Sequence, residues 1–176
     1  MSVLTIPSPF AADGLLYINS GYFQDSKKPA WVIRPGAHGD ITPGEDGELG
    51  PYIVWHNPRI GTYNTTPLVY EGLHYTLYDR GMVSVHDAKT GEERYDRERL
   101  PRLTSFTAAP WAVNDHVFCL AENGKTFVLK AGPTFEIVAT NDLDELAIAT
   151  PSLANGYLLI RTATKVWAIT DLSLRH

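Results

Sequence analysis

The chain has 176 residues, 44% of them apolar, which is the size of one ordinary domain with enough apolar side chain to bury a core. A net charge of −5, from 15 Lys plus Arg against 20 Asp plus Glu, argues against a phosphate-binding surface and so against nucleic acid as partner. No apolar run approaches the roughly 18 residues of a membrane span, and the single cysteine, Cys119, leaves no intramolecular disulfide or Cys-based zinc site to build.

In chain order the first segment is Val3–Ile6, a short apolar run with strand character. A motif then occurs four times: Ser8-Pro9 followed five residues later by Gly14, Thr66-Pro67 by Gly72, Ala109-Pro110 by Asp115, and Thr150-Pro151 by Gly156. The prolines are 58, 43 and 41 residues apart, so the repeat is about 42 residues and the first copy carries an insertion, seated in the Gly-rich stretch 35–50. Within the second copy, turns at Glu71-Gly72, Arg80-Gly81 and 87–91 divide strands predicted over 67–70, 73–78, 82–86 and 93–100. The third copy predicts strands over 111–113, 117–121, 126–130 and 135–140. The fourth strand of the second copy mixes Arg, Asp and Glu, as an outer strand beside water should. In the fourth copy, 167–169 is a third strand, and 170–176 make a poor outer one. A four-stranded unit repeated every 42 residues or so is a β-propeller blade. The expected architecture is all-β: one domain over 1–176 of four four-stranded antiparallel blades, at about 8–63, 64–103, 104–145 and 146–176, with 1–7 as the closing strand.

The turn His86-Asp87-Ala88-Lys89-Thr90-Gly91-Glu92-Glu93-Arg94-Tyr95 resembles the Asp-Ala-x-Thr-Gly-x-x-x-Trp signature of pyrroloquinoline-quinone-type propeller repeats, with Tyr95 in the place of Trp. The fourfold Ser/Thr-Pro-x-x-x-x-Gly opening is similar to that family's too, and 125–138 looks like the corresponding turn of quinone-binding-like propellers without assigned chemistry. The resemblance implies rings of seven or eight blades, of which this chain supplies four. It also implies a periplasmic or secreted setting, although no signal peptide is visible. Family members divide into quinone-dependent alcohol dehydrogenases, a lipoprotein of outer-membrane protein assembly, and many proteins of unknown chemistry. Because propellers leave no long exposed edge, four blades allow a small closed ring, two copies forming an eight-bladed ring, or a half that awaits a missing partner. The paired eight-bladed ring, a homodimer, matches the family's geometry with least strain.

A dehydrogenase of this type holds pyrroloquinoline quinone with calcium on Asp, Glu and Asn oxygens above an aromatic floor, and no such set is visible. Asp87 reads as a turn cap. The loop Asp40–Glu48, with Glu45 and Asp46 at its centre, lacks the spacing of a calcium loop and reads as solvated. His74 and His86 fall on neighbouring strands without a zinc motif, Cys119 reads as a buried small hydrophobe, and Asn64-Thr-Thr is a chance-level sequon. One connection does concentrate recognition chemistry. Trp55, His56, Arg59, Tyr63 and Asn64 lie between the first two copies, where a loop crosses the end of the ring, and Arg80 borders them. Arg161, among apolar neighbours in the fourth copy, points to the central channel. The expectation is a noncatalytic binding module without cofactor, a quinone-dependent alcohol or sugar dehydrogenase fragment being the alternative.

Overall fold

The computed structural model describes residues 1–44, 47–101 and 104–171. These form four antiparallel sheets in chain order. Blade 1 comprises β1 (Phe10–Ala12), β2 (Leu15–Asn19), β3 (Ala30–Ile33) and β4 (Ile53–Asn57). Blade 2 comprises β5 (Leu68–Tyr70), β6 (Leu73–Leu77), β7 (Met82–Asp87) and β8 (Glu93–Arg99). Blade 3 has β9 (Trp111–Val113), β10 (His116–Leu120), β11 (Lys125–Lys130) and β12 (Ile137–Asp142). Blade 4 has β13 (Ser152–Ala154), β14 (Tyr157–Arg161) and β15 (Val166–Ile169), three strands among the described residues. The rest of the expected outer strand, 172–176, lies outside them.

All four blades open with the same two-residue hairpin. Asp13-Gly14, Glu71-Gly72, Asn114-Asp115 and Asn155-Gly156 each place both residues at positive φ, between 49° and 76°. That is the turn whose twist matches the paired strands, and Asp115 replaces glycine because a short polar side chain tolerates the left-handed region.

Alternation along the second strand of each blade decides which neighbour a residue meets. The third residues, Tyr17, Tyr75 and Phe118, pack toward the following blade, and the second and fourth, such as Val117/Cys119 and Leu158/Ile160, pack toward the preceding one. Three core clusters result, one for each seam between consecutive blades. Two faces are left over. Leu16 and Ile18 of blade 1 have no blade before them, and Leu159, Val166 and Ala168 of blade 4 have none after them. Leu16 is 38% exposed and Val166 is 71% exposed.

The inserted connection lies partly over the free face of blade 1. Ile41, Thr42 and Pro43, together with Met1, enclose a cavity of about 310 Å³ against Ile18, Trp31, Ile33 and Ile53, covering the outer half of that face. The loop's Asp40 accepts the Thr42 N–H at 2.9 Å, while Glu45 and Asp46 lie outside the described residues. Residues 1–7 take no strand pairing within the chain. Ser2 is tied down by its N–H to Ser20 Oγ at 2.8 Å and by its hydroxyl to Asp25 at 2.9 Å, and beyond it Val3, Leu4 and Ile6 are exposed.

Candidate binding site

In an up-and-down blade, the loops after the second and fourth strands share one end. The connection 58–67, the β2–β3 loop and the β6–β7 loop therefore meet there. Their meeting is tight. Lys28 N–H donates to the Pro58 carbonyl at 3.2 Å, and Gly61 N–H donates to the Lys28 carbonyl at 2.7 Å. Gly21 and Gly61 touch backbone to backbone, so that a Cβ on either would overlap main-chain atoms. Only glycine allows this approach.

Between blades 1 and 2 this contact floors a cavity of about 220 Å³. Lys28, Arg80 and Arg97 line it as cations, Asp79 as the one carboxylate, and Phe23, Tyr63 and Tyr78 as aromatic walls. Tyr63 stands edge-on to Tyr22 and Phe23, with ring centroids 5.3 and 6.4 Å away. Asp79 accepts the Asn64 N–H at 3.1 Å. Burial pushes its carboxyl above the ordinary carboxylate range, against the opposing pull of the Asn64 and Tyr63 N–H groups, Lys28 and Arg80.

Arg97 reaches this place through an irregularity in β8. Its φ of 52° makes it the one non-glycine residue of positive φ inside a strand among the described residues, beside register shifts of the β7–β8 ladder. Ser84 anchors the distortion, its hydroxyl donating to Asp96 and accepting the Arg97 N–H at 2.9 Å. The guanidinium then lies 4.9 Å from the Tyr78 ring centroid and donates to the Arg59 carbonyl at 3.1 Å. A left-handed backbone at a bulky residue costs on the order of 1 kcal/mol and persists only where its surroundings impose it.

The seven residues singled out from sequence separate. Tyr63 and Arg80 line the cavity, and Asn64 supports it through its backbone. Trp55 is buried and fully used: its indole N–H donates to the Ala88 carbonyl at 2.9 Å, and its ring lies against Gly91. His56 stacks on Trp31, centroids 3.7 Å apart, and burial and the nearby chain amino group push its pKa down. His56 and Arg59 border a different hollow, with Glu93 and Asp96. Arg161 lies on the free face of blade 4, paired across from Val166, and borders a separate hollow with Leu146 and Ile148. Lys28, Asp79, Tyr78 and Arg97 were missed; only the basic residues in the polar outer strand hinted at the last.

The remaining chemistry-bearing residues are structural. Asp87 Oδ1 accepts the N–H groups of Lys89 and Thr90, and Arg94 pairs with its other oxygen at 3.2 Å. Cys119 is buried, which pushes its thiol up to about 12. Among the described residues no three His, Cys, Asp or Glu side chains converge as metal ligands.

No family model and no curated protein matches the chain. Solved structures do. A quinohemoprotein alcohol dehydrogenase from Pseudomonas putida HK5 superposes with a TM-score of 0.60 at 15% identity, over 88% of this chain and 28% of the other. A europium-containing methanol dehydrogenase gives 0.55 at 16% identity, over 81% and 26%. The fold is that of quinone-dehydrogenase-type propeller blades. The chain spans about a quarter of the length of those two enzymes. The computationally designed Ika4 protein matches over 95% of this chain and 92% of its own, with a TM-score of 0.64 at 13% identity. The designed Ika8 protein matches over 93% and 46%, at 0.61 and 14%.

Proposed function

We propose that the chain is a noncatalytic binding module, two copies of which close an eight-bladed ring. The observation that carries this is the pair of apolar faces left at the ends of the array, Leu16 and Ile18 on blade 1 and Leu159, Val166 and Ala168 on blade 4. These occupy the same strand positions that fill the internal seams. In a ring, blade 4 of each protomer abuts blade 1 of the other, a head-to-tail contact that closes after two copies. The exposed segment Val3–Ile6 is then the strand that completes the partner's blade 4 beside β15.

Light scattering on a size-exclusion column tests the assembly. The expected mass is twice 19.5 kDa, and Val166→Asp is expected to halve it. A mass of 19.5 kDa at every concentration overturns the ring. Reconstitution with pyrroloquinoline quinone and calcium, read by dye reduction with an alcohol or sugar, tests the noncatalytic reading, and turnover above a buffer control overturns it.

A further inference from the structure

We propose that the cavity between blades 1 and 2 binds a small ligand made of one aromatic ring carrying an oxyanion, a carboxylate or a phosphate. This deepens the reading of the chain as a binding module but does not depend on ring closure, because a single chain supplies every wall.

The charge around the cavity favours an anion. In a chain of net charge −5, three cations and one carboxylate converge on a volume of about 220 Å³. Asp79 takes the Asn64 N–H on one oxygen and offsets only part of this positive charge, and its neighbour Arg80 makes no hydrogen bond or ion pair among the described residues. Lys28 Nζ makes one long hydrogen bond, 3.4 Å, to the Phe23 carbonyl, and its attraction to Asp79 stops short of an ion pair among the described residues. Two cationic side chains therefore retain donors for an anion, and charge-assisted hydrogen bonds are the strong ones.

Its shape favours an aromatic ring. Phe23, Tyr63 and Tyr78 present ring surface around those donors, and Phe23 is 50% exposed, an apolar ring held at the rim by its edge contact with Tyr22. A flat apolar group finds stacking partners there, while the oxyanion meets Lys28 and Arg80. The site is preorganised. The Gly21–Gly61 contact fixes the floor, and the left-handed Arg97, stacked on Tyr78, fixes one wall before any ligand arrives.

Two-dimensional NMR titration of the full chain with benzoate, phenyl phosphate, inorganic phosphate and benzyl alcohol tests this. Benzoate and phenyl phosphate are expected to shift the amides of residues 21–28, 61–64 and 78–82, each more tightly than inorganic phosphate, with benzyl alcohol inert. Preference between the first two identifies the oxyanion. Arg80→Gln and Lys28→Gln, at surface positions whose loss leaves the core intact, are each expected to weaken binding about tenfold, and Arg161→Gln to leave it unchanged. Benzyl alcohol binding as well as benzoate, inorganic phosphate binding as well as phenyl phosphate, or no shift at about 10 mM of any probe overturns the proposal. Monomeric mass with benzoate binding retained would remove the ring and leave this site standing.

Discussion

The seam between blades 1 and 2 and the seam between blades 2 and 3 place opposite chemistry on equivalent backbone positions. In the later seam, Tyr75 and Leu77 face Val117 and Cys119, with Val83, Val85, Phe127 and Leu129 around them, all buried and apolar but for one phenol. In the earlier seam, Tyr17 and Asn19 face His74 and Thr76, backed by Ser84 and His86, every one of them buried. His74 lies opposite His86 in the β6–β7 register, stacked 5.7 Å from Tyr17 and edge-on to Trp55. Neither ring nitrogen of His86 has a hydrogen-bond partner among the described residues. The lesson is a division of labour. The apolar seam stores stability, and the polar seam, less well satisfied, sits beside the cavity and the strained Arg97.

The two seams differ most sharply at Phe127. Phe127→Ala should cost about 3–5 kcal/mol of unfolding free energy in urea, the price of a large cavity in the apolar seam. A loss below 1 kcal/mol would deny that seam its role. Next comes the tightest apolar contact of the other seam. Gly91 has φ of 74°, and a Cβ there would lie 2.9 Å from the Trp55 ring. Gly91→Ala should cost about 2–4 kcal/mol through backbone strain and overpacking. Adding Trp55→Leu should recover part of it, read as non-additivity in a double-mutant cycle.

Acid separates the two seams. Burial, then the neighbouring His86, holds the His74 pKa down at about 3, and burial lowers that of His86 against the pull of Glu93 and Asp96. The His74 ring is neutral in the fold, burial disfavours the protonated form of His86 in the same direction, and both titrate near 6.5 when unfolded. The unfolded chain therefore binds more protons below that value. Stability is complete above about pH 6.5 and falls by up to about 1.4 kcal/mol per pH unit through His74 as pH drops toward 5, with His86 adding to the loss in the same direction. Carboxylates lowered by hydrogen bonds, such as Asp87 and Glu145, act only at lower pH. Urea melts at pH 7 and 5 should show the slope, hydrogen exchange should place early opening at blades 1 and 2, and His86→Leu should flatten the slope. Equal slopes in the two proteins would remove His86 from the account.

The smallest effect compares two equivalent tyrosines. Tyr17 donates to the Ala88 carbonyl at 3.0 Å, which Trp55 also serves, whereas Tyr75 accepts the Gly132 N–H at 2.8 Å as that group's partner. Tyr75→Phe should cost about 1–1.5 kcal/mol and Tyr17→Phe about 0.5, because only the first leaves a donor unmade. Thermal melts of the pair resolve the difference.

The repeat was legible because hairpin turns are local: proline, then glycine or Asp115 five residues on, marked every first strand, and the boundaries of β5–β12 fell within two residues of expectation. The faces of the middle strands were less legible: β10 is apolar on both, whereas β6 buries His74 and Thr76 together. The candidate site was half legible. Tyr63 and Arg80 stand out as residue types in loops, but Arg97 enters the cavity only because a bulge breaks the strict alternation of β8, and Lys28 only because a β2–β3 loop folds against a connection some thirty residues later. Trp55 misled because an aromatic beside Arg and Asn has the composition of a contact surface, while its neighbour in space is a glycine of the next blade.

That last contact bears on how such a chain can grow. Trp55 on the outer strand of blade 1 is a peg whose socket, Ala88 and Gly91, belongs to the third-strand turn of blade 2. Tyr95, on the outer strand of blade 2, instead packs edge-on against Phe135 of blade 3, centroids 5.8 Å apart. Peg and socket are encoded in different repeats. Duplicating or shuffling a whole blade therefore separates every peg from its socket at the joints, and the heritable module is one repeat's outer strand together with the turn of the repeat that follows.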